Sequence, residues 1–328
     1  MTDDELKAQG PPLKFDNSMR SSFESCPRSF MWWRRGYTYN QESKPAFFVF
    51  GSAWGIMQGV WHDSPGPHSS LSDSIFADCA QLALDAGLLY WDHHSPVEKA
   101  RDTRANLYAL FTLYLETYQM EPFSMVKGGA EKGWLYPLEH TPYYLGGSTD
   151  GYLMWEGIGT LIKEDKTTSI YLNDKYIRQW RFANQITGYI WYHSKLSDEP
   201  GCLVNMASKQ ITKAGKTPQF TRVLERRSPL ELKEFERDWL FTIHKIEDCW
   251  AQWIWPKTHN PINCTGGIGK SACLYQNLCL SDLPYQIIDP LTFPGIKLDE
   301  TPWAPWEWKN PLHEITGAIA NKNENRSV

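Results

Sequence analysis

Gly146-Gly147-Ser148-Thr149-Asp150-Gly151, followed by Leu161-Ile162-Lys163-Glu164-Asp165-Lys166-Thr167, is the stretch whose reading decides the fold. It reads as a β-hairpin. Side chains alternate faces along a strand, so Glu164 and Lys166 point one way and Asp165 the other. Glu156-Gly157-Ile158-Gly159 supplies the turn, because glycine takes positive φ without steric cost. If the arms pair, Asp150 lies beside Glu164, with Lys166 next to both. Two hard oxygen ligands and an ammonium make a small site for Mg²⁺ or Mn²⁺. The backbone carbonyl of Asp165 and, more remotely, the carboxylate of Glu131 are further oxygen donors. The spacing recurs at Glu5-Leu6-Lys7 and Glu231-Leu232-Lys233, where it reads as a solvated helix face. The preceding Gly-Gly, the Asp and the turn set Glu164/Lys166 apart.

A helix over 174–195 follows the hairpin. Gln185 and Tyr189 are four residues apart and share a face, with Arg178 and Arg181 close to the same stripe. Arg, Arg, Gln and Tyr suit phosphate contacts and a stacked or hydrogen-bonded base. Metal-assisted phosphodiester hydrolysis needs an activated water, a positioned phosphorus and a stabilised leaving oxygen. In that chemistry Asp150 and Glu164 would hold the ion, and Lys166 would orient the water or neutralise developing charge.

Working outward, Asn17 or Ser18 would cap a short helix ending near Ser25, and Pro27 suits the first turn of the next. Ala46 to about His62, 71–90, 97–119 and 229–255 have helical spacing. Trp134, Tyr136 and Leu138, alternating with smaller or polar neighbours, and Cys202–Met206 read as strands. The order is α/β, with a helical subdomain (about 64–122) ahead of a catalytic core (about 123–255). Residues 1–16 read as a disordered lead-in, 256–282 as a cysteine-rich segment, and 283–328 as a Pro/Trp-rich wrapping tail.

The 328 residues carry a net charge of −5 and are 41% hydrophobic, which excludes a chain coated overall in nucleic acid but leaves room for a local basic groove. Arg20, Arg28, Arg34 and Arg35 group near the start, and Lys209, Lys213, Lys216, Arg222, Arg226 and Arg227 crowd one later segment. No apolar run approaches the roughly 18–20 residues that span a bilayer. With no signal-peptide core the chain reads as intracellular. Seven cysteines, an odd number, argue against a disulfide framework and leave metal ligands or buried thiols.

Gly147-x-x-Asp150, Glu164-Asp165-Lys166-Thr167 and Gln185-x-x-x-Tyr189, in that order, resemble the PD-(D/E)XK nuclease superfamily. The likeness is to its RecB-like branch, which includes CRISPR-adaptation nucleases and phage exonucleases. Ser21-x-x-x-x-Cys26-Pro27-Arg28 and Phe50-Gly51-Ser52-Ala53-Trp54 extend it over about residues 18–279. The resemblance implies a restriction-endonuclease-like core within 17–282. It also implies a metal-dependent DNA exonuclease acting on ends or single strands in recombination, repair or phage replication, in a bacterial or phage-infected cytoplasm. A helicase or recombination protein would be its partner, and no membrane. Endonuclease cutting is the lesser alternative. The family's metal-binding His would fall at Gly55. His62, on the same helix face, lies roughly 10 Å further along and reads as an ordinary helix-end residue. Gly55 therefore also leaves open a catalytically weak DNA-binding or adaptor protein on the same fold. The branch often holds a [4Fe–4S] cluster on one N-terminal and three C-terminal cysteines. Cys26, Cys264, Cys273 and Cys279 resemble that set, which would equally suit structural Zn²⁺. Cys79, Cys202 and Cys249 read as core thiols.

Overall fold

The structure, a computed structural model, describes residues 7–40, 44–68, 74–126, 132–210, 219–266, 272–299, 301 and 303–307. Among these the strands are β1 (Lys14–Asp16), β2 (Tyr37–Tyr39), β3 (Phe123–Met125), β4 (Lys132–Pro137), β5 (Tyr144–Thr149), β6 (Gly151–Trp155), β7 (Gly159–Thr168), β8 (Cys202–Ser208), β9 (Phe220–Glu225) and β10 (Ile296–Leu298). Together with the helices they make a mixed α/β fold. The chain forms two compact units, each from discontinuous segments: 1–42, 135–147 and 233–305 in the first, 43–134, 148–232 and 306–328 in the second.

The second unit is built on a five-stranded sheet in the order β3-β6-β7-β8-β9. β6 and β7 form the antiparallel hairpin, from Gly151↔Lys163 to Trp155↔Gly159. Its turn uses Gly157 and Gly159 at φ of +77° and +99°, values an L side chain resists. β8 runs parallel to β7, and such a pair needs a crossover. The crossover contains the helix Asn184–His193, which packs on β7 and β8 through buried Ile186 and Ile190. The opposite face is covered by the helices Ala46–His62, Ser74–His94 and Arg104–Thr117, the first of which packs against β7. Trp54 centres that core, edge-on to Phe111 and Tyr114 and stacked on Phe220. A sheet covered on both faces explains why residues 161–164 are all buried rather than alternating.

In the first unit β1 pairs in parallel with β5 (Lys14↔Tyr144 to Asp16↔Gly146), so part of the expected lead-in is a strand with Phe15 fully buried. A three-residue strand carries no readable period; its partner lies far along the chain. Asp16, not Asn17 or Ser18, caps the helix Asn17–Ser25, accepting from Met19 N–H at 3.1 Å. Pro27 opens the next helix, Pro27–Arg34, as expected. Part of the supposed wrapping tail also pairs: β10 is antiparallel to β2. Glu131, Lys213, Lys216 and residues 308–328 lie outside the described residues.

Two further expectations are corrected. The segment 174–195 is not one helix but a short helix Asp174–Arg178, a 3₁₀ turn Gln179–Phe182 and the helix Asn184–His193. Ala183 between them is extended (φ −74°, ψ 120°). A continuous helix would direct the Asn184 N–H at the Trp180 carbonyl. Instead that carbonyl accepts from the buried Arg227 guanidinium at 3.0 Å, which also donates to Thr187 Oγ1 at 3.1 Å. Second, three of the described cations in the basic run near 209–227 are not free for phosphate. The run contains the strand β9, and Lys209, Arg222 and Arg227 are paired internally with Asp102, Glu121 and Glu225.

Candidate metal centre

The β6–β7 ladder ends at Gly151↔Lys163, and Asp150 sits in the bend between β5 and β6. The Ile162 N–H is directed to Gly201 O on the β8 side, so by alternation the Asp165 N–H turns toward β6. No β6 backbone is left to receive it. The Asp150 carboxylate does so instead, Oδ2 accepting at 2.6 Å. Asp150 therefore continues the ladder with its side chain and is fixed beside the residue next to Glu164.

On the face toward Asn184–His193, Glu164 is 2% exposed. Its Oε1 accepts from the Lys166 ammonium and from Gln185 Nε2, the latter at 3.0 Å. Gln185 Nε2 also donates to Tyr189 Oη at 2.8 Å, and Tyr189 donates to the Ser148 carbonyl at 2.7 Å. This chain of contacts ties the crossover helix to both arms of the site. Burial pushes the Tyr189 hydroxyl well above its usual range, with Glu164 and Asp150 adding, so it stays a phenol and a donor. Burial opposes the charge on Lys166, but Glu164 and Asp150 outweigh it and raise the ammonium's pKa. Lys166 lies 5.8 Å from the centroid of the Trp180 ring, on the 3₁₀ turn.

Glu164 Oε2 is buried and has no hydrogen-bond partner. A buried carboxylate oxygen without a donor is costly unless something cationic meets it. With Asp150 held alongside, the donor set fits a hard divalent cation. Among the described residues, no group of three or more His, Cys, Asp and Glu side chains could hold a metal by itself. A cation here would take Asp150 and Glu164 and complete its shell with backbone oxygen or water.

Arg178 is exposed on the short helix, not on the stripe of Gln185 and Tyr189. Arg181 is paired with Glu231 at the surface. Phe182, which sequence reasoning passed over, projects from the same turn and is 83% exposed. His62 is not part of this site. It is 5% exposed on the other side of the sheet, with Nδ1 2.7 Å from the Gln58 carbonyl and Nε2 3.2 Å from Glu121 Oε1.

All seven cysteines are free. Cys26, Cys264, Cys273 and Cys279 fall in the first unit, and the Cys273 N–H donates to the Cys264 carbonyl at 2.9 Å. Burial pushes the Cys273 thiol up, and Cys26 and Cys264 push it further. Burial likewise raises Cys279, with Cys26 and Cys273 adding and Arg28 opposing. The four thiols thus feel one another, but as placed they do not form a closed ligand shell.

No known protein family and no curated protein matches the chain in sequence. Among solved structures it is similar to a candidate exonuclease from Eubacterium rectale, 12% identical, covering 81% of this chain and 96% of that one, with a TM-score of 0.43. It is also similar to a phage-related exonuclease from Haemophilus somnus 129PT, 13% identical, covering 61% of this chain and 95% of that one, with a TM-score of 0.28. Likenesses this distant bear on neither activity nor substrate. No helix among the described residues is long and apolar enough to cross a membrane.

Proposed function

We propose that the second unit is a divalent-metal-dependent nuclease of the PD-(D/E)XK type. The observation that carries the reading is Glu164: one oxygen held by Lys166 and Gln185, the other buried and unpartnered, next to the fixed carboxylate of Asp150. Asp150 and Glu164 would hold Mg²⁺ or Mn²⁺, which when bound supplies charge stabilisation and an acidified water. Gln185 and Tyr189 keep Glu164 aimed into the site. Lys166 presents an ammonium to the phosphate side, where negative charge develops. Arg178 and Arg181 would steer the backbone of the substrate, with Arg181 exchanging Glu231 for a phosphate. DNA as substrate, action at ends, and recombination, repair or phage replication as context come from the order of the motifs.

Labelled linear DNA should be degraded with Mg²⁺ or Mn²⁺ and not with EDTA, and Asp150→Ala should abolish the degradation. Activity unchanged in that variant would refute the site. Cutting of closed circular DNA would identify an endonuclease instead. Gly55, where the resembled family has a metal-binding His, favours a second reading as a DNA-binding adaptor. Salt-sensitive DNA binding without Mn²⁺ uptake in a calorimeter would select it.

For the first unit, the resemblance of Cys26, Cys264, Cys273 and Cys279 to the family's cysteine set is what supports a site for a [4Fe–4S] cluster or zinc, to which no step of the reaction is assigned. Protein purified without oxygen should contain iron with broad absorbance near 400 nm, or zinc without colour, and Cys273→Ser should lose it. Elemental analysis finding neither metal would overturn the assignment.

A further inference from the structure

The face of β7 turned away from the candidate metal centre carries a row of polar side chains that the proposed reaction does not use. Asp165, Asn205 and Arg222 are partners in successive strand pairings, Asp165↔Asn205 and Asn205↔Arg222, so they stand side by side across β7, β8 and β9. Asn205 Nδ2 donates to Asp165 Oδ1 at 2.7 Å, and Arg222 Nε donates to Asn205 Oδ1 at 3.1 Å. Asp165 Oδ2 is paired with Lys163, two residues back on the same face. The side chains of Lys163 and Asp165 are 2% and 3% exposed. Gln58 Oε1, from the covering helix, lies 3.3 Å from Asn205 Nδ2.

An apolar row would fill this space at lower cost, since every buried charge must be stripped of water. What the polar row adds is direction. Asp165 belongs to both faces of the problem: its carboxylate is clamped in the row, and its backbone N–H holds Asp150 Oδ2 at 2.6 Å. Clamping the side chain limits rotation of that peptide, and the peptide sets where the Asp150 carboxylate points. Partners that orient a ligating carboxylate typically change metal affinity when removed, though they never touch the metal.

We propose that Lys163, Asp165 and Asn205 are positioning residues that aim Asp150 at the divalent cation through the amide of Asp165. The inference rests on the metal-site reading above. Its test is Mn²⁺ calorimetry on the full-length chain without DNA, with Tm measured in parallel without metal. Asp165→Asn keeps the shape but uncouples Lys163, and should weaken Mn²⁺ binding about 10- to 100-fold. Asn205→Ala leaves the Lys163–Asp165 pair in place, should bind Mn²⁺ several-fold more weakly, and decides the matter if Asp165→Asn does not fold. A purely structural role would lower Tm and leave the dissociation constant of the folded protein unchanged, which would overturn the positioning proposal alone. No Mn²⁺ uptake by the parent protein would overturn this proposal and the metal centre together.

Discussion

Lys166→Ala is expected to slow degradation of linear DNA by about 10²–10³-fold at saturating Mg²⁺, the usual cost of deleting one preorganised donor aimed at developing charge. The lysine is the cation placed directly on Glu164 by the hairpin's alternation, and its side chain is 25% exposed against 3% for Glu164. Its loss leaves the buried Glu164 with Gln185 on Oε1 at 3.0 Å but without its counter-ion, so stability is expected to fall as well. Initial rates on end-labelled DNA, with far-UV circular dichroism as the control for folding, would check this. A variant as fast as the parent would remove Lys166 from the chemistry. Equal losses in kcat and kcat/KM would place its contribution in the transition state rather than in substrate binding.

The second large effect concerns stability. Glu121 is fully buried and receives both arms of the Arg222 guanidinium at 2.6 Å each, with Tyr114 donating at 3.0 Å. Glu121→Gln removes the charge that compensates Arg222 and should cost about 3–5 kcal/mol, as breaking a buried pair from one side does. Urea denaturation at neutral pH measures it, and a loss below 1 kcal/mol would contradict the account. The same pair predicts the acid limb. Burial alone would raise the Glu121 pKa. Hydrogen bonds from His62 and Arg222 more than offset this and hold it at about 2, against an ordinary 4.5. A carboxylate depressed in the folded state stabilises the fold above about pH 4.5, and this contribution fades as pH falls toward 2. The parent should therefore lose stability across that window, and Glu121→Gln should respond less.

Those two residues also mark what the sequence could and could not reveal. Period-two alternation puts Glu164 and Lys166 together and Asp165 behind them, and the structure has them so. The turn glycines and the four-residue spacing of Gln185 and Tyr189 were equally local signals. The rear network was not legible, because its contacts join residues far apart in the chain: Gln58 with Asn205, and Glu121 with Arg222. Arg222 looked like one of a basic run, when its partners in space are Glu121, Tyr114 and Asn205 from elsewhere in the chain. β1 was missed for a similar reason, being a three-residue strand whose partner decides it. The break at Ala183 depends on Arg227 capturing one carbonyl, which no propensity of residues 174–195 foretells.

Lys163 and Glu164 are adjacent, both buried, and face opposite sides of one strand. A slip of β7 by a single residue would send Glu164 among Gln58 and Asn205, and Lys163 toward Gln185. The ion pairs within β7, Glu164–Lys166 and Lys163–Asp165, would travel with the strand, but Glu164 would lose Gln185 and Asp165 would lose Asn205, on both faces at once. Misthreaded molecules would thus pay twice, and the arrangement doubles as a proofreading step: a chain that has found its fold at all has, by the same event, assembled its candidate site correctly.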